Sequence, residues 1–520
     1  MKRILTGALK PSSKKSLDYP VHSVKDIFSM VFNAKRAQKQ WEAFPIKTRI
    51  QYIRRVGDYI VAHADEIAEV ISLDNGKTLT DAMAAEVLPC AAAIDYYCKN
   101  AKKFMRDKKI APGSLLFINK RSLGVRSAYG VIGIISPWNY PFSIPFSEVV
   151  MALLAGNAVL LKGASETGAV ARLLKRCFEA AAFPEYIFNS VNSPGVITGD
   201  AFIDAGVDKL FFTGSVKVGK YLMKQASKKL TPLVLELGGN DPMIVCEDAN
   251  LERAAAGAVW AGFSNAGQSC GGVERIYVHK SVYDDFLQII KNKIESLRIG
   301  GGDDFNTDIG PLTLERQVKT VNAHVADALK KGARIHAKAD VPKGLKGHFL
   351  PCLVITGVNH SMLLMKDETF GPVVGVMPYA EIDEAVELAN DSNLGLTASV
   401  WSKSGKRAAA IARRLRAGAV TINDHLMSHG MAATPWGGFK ESGIGRTHGE
   451  SGFLEMTQSQ VIINDIMPLA KRDFWWHPNS KRVYDGLRGA LLFFYGKGIG
   501  RRLGGLKALL KVFPDTFRRI

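Results

Sequence analysis

Residues 264–272, SNAGQSCGG, place Cys270 among small and polar neighbours just after an apolar, helix-like run. A cysteine in a large chain is ordinarily a buried small hydrophobe, but a glycine-bearing loop before a helix–strand crossover is a poor place for one. A nucleophilic cysteine needs a base, a donor for the developing oxyanion and, if the chemistry is oxidation, something to receive the electrons. Glu236 stands in the otherwise apolar LVLELGG. A carboxyl there is costly unless paired or held protonated, so it is either a buried ion-pair member or a tuned acid/base. Asn139, in SPWNYPF, sits among aromatics and prolines at the end of another apolar run. It is either a turn residue or an amide that donates to an oxyanion.

Two phosphate-binding signatures fail in informative ways. GSVKVGKY, from Gly214 to Tyr221, approaches the pattern G-x-x-x-x-G-K-[ST], but Tyr221 replaces the hydroxyl that would hold magnesium. No G-x-G-x-x-G follows a strand. Gly214 and Ser215 remain at a strand-to-helix junction, where free backbone N–H groups and the helix dipole can hold a pyrophosphate.

The elements that must position these residues follow from periodicity. The first hundred residues carry apolar positions at helical spacing, closed by Gly76. FINKRSLGVRSAY alternates around a glycine like an exposed hairpin. From Gly130 onward apolar strands and amphipathic helices take turns: GVIGIIS, PFSEVVMALLAG, AVLLK, a long helix, YIFNSV, KLFFTGS, another helix and PLVLEL. Continuous apolar strands between helices mean a parallel sheet covered on both faces. A second alternating block starts near Gly238 with PMIVCED and runs to about Ile444. The expected class is therefore α/β: a doubly wound parallel-sheet cofactor domain, a second α/β catalytic domain and a small β arm.

Composition sets the outer bounds. The 520 residues are 47% hydrophobic and 22% charged, ordinary for a globular protein, and the six cysteines form no C-x-x-C pair or zinc-spaced cluster. This argues for a reducing, cytoplasmic setting and no metal. The N-terminal MKRILTGALKPSSKKS lacks the apolar run of a secretory signal. The net charge is +19, yet residues 467–520 alone hold 12 Lys+Arg against 3 Asp+Glu. The excess is concentrated in a tail, so no nucleic-acid partner is expected of the body.

Together PWNYPF, LLKGASET, FFTGSVKVGK, LELGGNDP, NAGQSC, ETFGPV and PWGGFKESGIGR resemble, in order, the motifs of the aldehyde dehydrogenase superfamily over about residues 26–465. The resemblance implies that Cys270 attacks an aldehyde, that Asn139 and the Cys270 N–H hold the oxyanion, that hydride passes to NAD or NADP, and that Glu236 activates the water that hydrolyses the thioester. It further implies that Lys162 binds the adenosine ribose, Gly214 and Ser215 the pyrophosphate and Glu368 the nicotinamide ribose, with Phe370 beside the nicotinamide and Trp138 near the phosphate end. The implied domains are 1–109 with 129–237 for the dinucleotide, 238–455 for catalysis, and 110–128 with 456–466 as oligomerisation strands of a homodimer or homotetramer.

Two departures bear on the cofactor. Gly163 follows Lys162 where the family often has proline, and Ser165 stands where NAD-preferring relatives often carry glutamate. A serine removes a like-charge penalty against a 2′-phosphate, although Glu166 next door could restore it. Transfer to coenzyme A needs no hydrolytic base, so Glu236 favours hydrolysis. The competing readings are a semialdehyde substrate and, from another class, a cofactor-free cysteine esterase or thioesterase.

The tail 467–520 lies outside the resemblance. On a helix, Val483, Leu487, Ala490, Leu491 and Phe494 share a face, as do Leu506, Leu509, Leu510 and Phe513, with Lys507 and Lys511 opposite. This composition suits interfacial helices on an anionic membrane surface, bringing a hydrophobic, lipid-derived aldehyde. The other reading is a helical pair that packs on the enzyme or a partner subunit.

Overall fold

The computed structural model describes residues 20–302, 305–473 and 475–517; the N-terminal stretch read above for a signal lies outside them through residue 19. The chain forms two compact units, one from the chain up to Phe104 and Ser127–Gln458, the other from Met105–Arg126 and Ser459 onward.

In the larger unit a six-stranded sheet runs, edge to edge, Gly443–Ile444, Leu233–Glu236, Lys209–Thr213, Val131–Ile135, Ala158–Lys162 and Phe188–Ser190. All neighbours are parallel except the first pair. The strand beginning at Val131 lies between the second and fourth strands of the βαβ series. Chain order therefore reverses beside it, and the crevice beyond the strand ends is where such sheets bind ligands. Two loops open there: the one carrying Trp138 and Asn139, and the one carrying Gly214 and Ser215. The intervening helix Ser143–Ala155 is buried along its whole length, as a crossover between sheet and outer helices must be.

A seven-stranded sheet follows in the order Arg334–Ala339, Cys352–Thr356, Val373–Tyr379, Val273–His279, Asp241–Val245, Thr397–Trp401 and Ala419–Ile422, with only its first pair antiparallel. Its core is Ile, Val, Leu and Ala contributed by strands and helices alike. The chain then returns to the first sheet, where Gly443 pairs with Glu236.

The smaller unit contains a three-stranded sheet, Lys108–Ile110, Lys120–Ala128 and Thr457–Asp465. Here one expectation is corrected: FINKRSLGVRSAY is not a hairpin. Gly124 makes no turn but lies opposite Lys108 in the antiparallel ladder, so the alternation belongs to one long strand. Lys120 Nζ ties this strand to Asp465 at 2.5 Å and to Asp473 at 2.7 Å.

The tail forms the helices Lys481–Tyr495 and Ile499–Val512, packed on each other. The contact is made by small residues, and only part of the expected apolar face takes part in it. Val483, Gly486, Gly489 and Ala490 are buried, opposite Gly505 and Val512, whereas Leu487, Leu491, Leu510 and Phe513 stay exposed. A Cβ on Gly489 would lie 2.7 Å from Ala508 Cβ, and one on Gly505 2.6 Å from the Gly489 carbonyl. The glycine stripe lets the backbones approach closely and thereby wins the contact, turning the large side chains outward.

Candidate active site

Cys270 follows a strained turn. Asn265, Ala266 and Gly267 all have left-handed φ, at 52°, 55° and 72°. At Gly267 a Cβ would sit 2.1 Å from the Gly371 carbonyl, so no larger residue fits. Side-chain amides support this backbone. Asn265 Nδ2 donates to the carbonyls of Asn139 at 2.9 Å and Gln268 at 3.2 Å, and Asn139 Nδ2 donates to the Gln268 carbonyl at 3.1 Å. An amide nitrogen carries two hydrogens, so the same contact that orients Asn139 leaves its second N–H for another acceptor.

Three cavities meet at the Cys270 side chain. The largest, about 450 Å³, is lined by Trp138, Asn139, Gly214, Ser215, Glu236, Glu368 and Phe370 as well as Cys270. The second, about 150 Å³, is lined chiefly by Ala84, Ala85, Pro89, Tyr140, Ile144, Trp260, Leu426, Met427 and Trp436, with Asp81 at its wall. The third has room for about one water molecule, about 10 Å³, and touches Glu148, Thr213, Glu236, His429 and His448. Cys270 alone among the six cysteines is partly accessible; the other five are buried.

The sequence candidates thus fall into two groups. Seven share the largest cavity with Cys270. Lys162 and Ser165 do not line it but lie together at the end of strand Ala158–Lys162, with Lys162 Nζ 3.2 Å from Ser165 Oγ. Trp138 meets Phe370 edge-on at 5.6 Å between ring centroids.

The residues around this cavity fit a dinucleotide. Ser215 caps the N-terminus of helix Val216–Ala226, which offers backbone donors and a positive dipole end to a pyrophosphate. The Glu368 carboxylate accepts from Gly239 N at 3.0 Å, which leaves its other oxygen for a sugar hydroxyl, and Phe370 supplies a flat apolar face. Among the described residues no cluster of three or more His, Cys, Asp or Glu is arranged to hold a metal.

The electrostatics are acidic and dry. Burial pushes the Cys270 thiol well up, and Glu368, Asp241 and Glu236 push it further. Burial likewise lifts Glu236 well above the carboxylate range, with Glu148 adding to the rise and Arg446 opposing it; neither Glu236 oxygen has a hydrogen-bond partner. Glu368 is pushed up by burial to about 7.

Several positioning groups escaped the sequence reading. Lys77 and Glu86 form an ion pair at 2.5 Å, both side chains fully buried. Lys77 also donates to the Asn139 carbonyl at 2.9 Å, while Glu86 accepts from Phe142 N and Ser143 N at 2.7 and 3.1 Å, fixing the start of the buried helix. Glu274 accepts from Thr369 N and Phe370 N at 2.9 and 2.8 Å and so shapes the loop that bears Glu368. Gly238 and Gly239, read as a boundary, are close-approach positions: added Cβ atoms would lie 2.5 Å from Glu368 Oε2 and 2.2 Å from the Cys270 carbonyl. Only Gly238–Gly239 left a trace in the motif. The others, Lys77 in a loop, Glu86 in a helical turn and Glu274 in strand Val273–His279, act on partners remote in sequence.

A family model described as the aldehyde dehydrogenase family matches residues 8–462. The chain belongs to this family. Among relatives of this aldehyde dehydrogenase, a 4,4'-diapolycopene aldehyde oxidase of Methylomonas sp is 36% identical over 479 residues, covering 92% of this chain and 89% of that one. A putative NADP(+) succinate-semialdehyde dehydrogenase of Mycobacterium ulcerans is 37% identical over 447 residues, 85% of each chain. Among solved structures, an aldehyde dehydrogenase from Brucella melitensis biovar abortus 2308 superposes with a TM-score of 0.81 at 33% identity, covering 86% of this chain and 90% of that one. Betaine aldehyde dehydrogenase from Staphylococcus aureus in complex with NAD+ gives 0.82 at 31% identity, covering 88% and 90%. The protein is an NAD(P)-dependent aldehyde dehydrogenase, which sets aside the cofactor-free hydrolase.

The Lys77–Glu86 pair yields a stability prediction. Lys77→Met strands the Glu86 carboxylate without its cation and should cost about 3–5 kcal/mol in denaturant unfolding, the usual penalty for breaking a buried pair. Lys77→Met with Glu86→Leu should recover part of that loss. A change below about 1 kcal/mol in the single variant, small beside that range, would show that the pair does not anchor the Asn139 loop.

Proposed function

We propose that the enzyme oxidises an uncharged, apolar aldehyde to its carboxylate, with Cys270 as nucleophile, Asn139 as oxyanion donor and Glu236 as hydrolytic base. The observation that carries this reading is the meeting of three cavities at one sulfur. The cofactor is assigned the largest, the substrate the apolar one, and the attacking water the small one beside Glu236. The Cys270 thiol loses its proton to solvent as the sulfur bonds to the aldehyde carbon, and the resulting oxyanion lies between the Asn139 amide and the Cys270 N–H. NAD(P)+, when bound, supplies the hydride acceptor. Glu236 then takes a proton from the water that attacks the thioester, releasing the carboxylate and the Cys270 sulfur.

The substrate class rests on the wall of the second cavity. None of its described lining residues is Lys or Arg, and Asp81 is acidic. A semialdehyde brings a carboxylate that requires a cation, whereas a hydrocarbon chain is at home there. The relative named for an aldehyde of diapolycopene matches 479 of the 520 residues, and that length reaches into the segment after Ile466.

On the cofactor, Glu166 does not act alone. Its carboxylate pairs with Arg316 at 3.1 Å, which offsets the repulsion it would offer a 2′-phosphate. With Ser165 beside Lys162, this supports acceptance of NADP as well as NAD. Lys162 and Ser165 are the residues assigned to the adenosine ribose, Gly214 and Ser215 to the pyrophosphate, and Glu368, Phe370 and Trp138 to the nicotinamide riboside end.

Assembly and location follow from the smaller unit. Strand Thr457–Asp465 is an edge strand whose Val461, Ile462 and Ile463 are at least half exposed. An apolar open edge of this kind suits strand pairing with a second copy, giving a homodimer or homotetramer. The helical pair turns Leu487, Leu491, Leu503, Leu510 and Phe513 outward among exposed Arg488, Arg501, Arg502, Lys507 and Lys511. No helix among the described residues is long and apolar enough to cross a membrane, so the arrangement suits contact with an anionic bilayer surface.

Three outcomes test this reading. Cys270→Ala should abolish aldehyde-dependent reduction of NAD(P)+, and Glu236→Gln should keep a rapid burst of reduced cofactor while steady turnover falls by about 10²–10⁴-fold, the range for loss of a general base. Equal loss of both phases would remove Glu236 from the water step. Across a substrate panel, kcat/KM for a long aliphatic aldehyde should exceed that for succinate semialdehyde by at least about tenfold, or about 1.4 kcal/mol of transition-state binding. The reverse order would overturn the apolar assignment. The full chain should co-sediment with anionic liposomes and a version ending at Asp465 should not. Equal behaviour of the two would remove the membrane contact.

A further inference from the structure

Glu148 is a chemical oddity. It lies in a helix whose every residue is buried, among Phe146, Val149, Val150 and Met151, and its own side chain is 3% exposed. Its Oε2 has no hydrogen-bond partner, and no salt bridge reaches it among the described residues. An unpaired carboxyl in such a place costs several kcal/mol if ionised, so at rest it is held neutral. Burial alone lifts it to about 8.

It faces a second carboxyl in the same condition. Glu236, 5% exposed with both oxygens unpartnered, lines the same water-sized cavity as Glu148, together with Thr213, Cys270, His429 and His448. The two histidines contribute no charge. Burial brings His429 to about 4 and His448 well below its ordinary range, with His429 pushing His448 further down. The single cation felt at Glu236 is Arg446. Two carboxyls lining one water-sized cavity oppose each other's ionisation, so their protons come off in two separated steps.

We propose that Glu148 and Glu236 share one proton across this cavity, Glu148 serving as the positioning residue that sets the protonation of the hydrolytic base. The proposal rests on the reading of Glu236 as that base. The cavity has room for about one water with carboxyl, hydroxyl and imidazole groups around it, so a proton can pass from one carboxyl to the other. With the shared proton on Glu148, Glu236 is a carboxylate and can take a proton from the attacking water. That O–H bond breaks as the water oxygen bonds to the thioester carbon; the C–S bond then breaks with its electron pair on the Cys270 sulfur, the product acid gives its remaining proton to solvent as it leaves, and both carboxyls are left protonated. One of the two protons is then lost to solvent before the next turnover, so atoms and charge balance.

The test is the pH dependence of acyl-enzyme release, measured by single-turnover quench with a short aliphatic aldehyde. The wild type should show two ionisations. Glu148→Gln leaves a single titrating carboxyl beside a neutral neighbour, as Glu148 itself is when Glu236 is ionised. It should therefore lose the upper ionisation, at which the second carboxyl ionises against the first, while the acid limb stays close to the first ionisation of the pair. Glu148→Asp, which keeps the carboxyl, should retain both ionisations even if it packs less well. Infrared spectra of the whole enzyme supply a readout independent of turnover. A buried protonated-carboxyl band present at pH 7 should be missing in Glu148→Gln and present in Glu148→Asp.

A structural role for Glu148 would lower rates or melting temperature without changing the number of ionisations. Two ionisations retained in Glu148→Gln would overturn the proposal. If Glu236→Gln leaves the release profile unchanged, the base assignment itself fails. If it removes the water step while Glu148→Gln leaves both ionisations in place, only the pairing fails.

Discussion

The exchange of amide hydrogen bonds between the Asn139 loop and the Cys270 loop is the contact on which the site depends. Asn139 belongs to the end of a strand in the first sheet, whereas Cys270 precedes a strand of the second. Asn265, Gln268 and Asn139 bind one another's carbonyls, so the two loops hold a single geometry. Three left-handed residues before Cys270 are tolerated because these bonds over-determine the turn. Lys77 fixes the same arrangement from below by binding the Asn139 carbonyl. Gly239 completes it from the other side, since any Cβ would strike the Cys270 backbone.

Around that clamp the enzyme gathers carboxyls and withholds cations. Glu148, Glu236, Asp241, Glu274 and Glu368 are all lifted by burial, and the Cys270 thiol is lifted with them. Burial thus disfavours charge on each of these groups, and a positive or hydrogen-bonding ligand in the neighbouring cavities would favour their ionisation. The buried acids are retained at a cost in stability that a purely structural core would avoid, which is why their positions carry chemical meaning.

Much of this was legible in the chain, for local reasons. Cys270, Glu236 and Asn139 stood out because each is a polar group where strand or loop grammar expects something else. The alternation of strands and helices after Gly130 fixed the doubly wound sheet, because parallel strands must be apolar throughout. Lys77, Glu86 and Glu274 were not legible, because their worth lies in partners that are remote in sequence or reside on the backbone. Glu148 did carry a signal, a lone carboxyl in PFSEVVMALLAG like the one that marked Glu236, but helical periodicity drew attention to its apolar neighbours instead. The contact between the tail helices was not legible for a different reason: the large side chains dominate a hydrophobicity pattern, whereas the glycines that decide that contact add nothing to it.

Oxidation through an acyl group on Cys270 is open to direct observation by mass spectrometry of the trapped enzyme. Glu236→Gln enzyme mixed with NADP+ and a long aliphatic aldehyde, then quenched in acid, should carry on the Cys270 peptide a mass increment equal to the aldehyde less two hydrogens, the signature of a thioester. An unmodified Cys270 peptide after a full burst of reduced cofactor, or the same increment on another residue, would contradict the account.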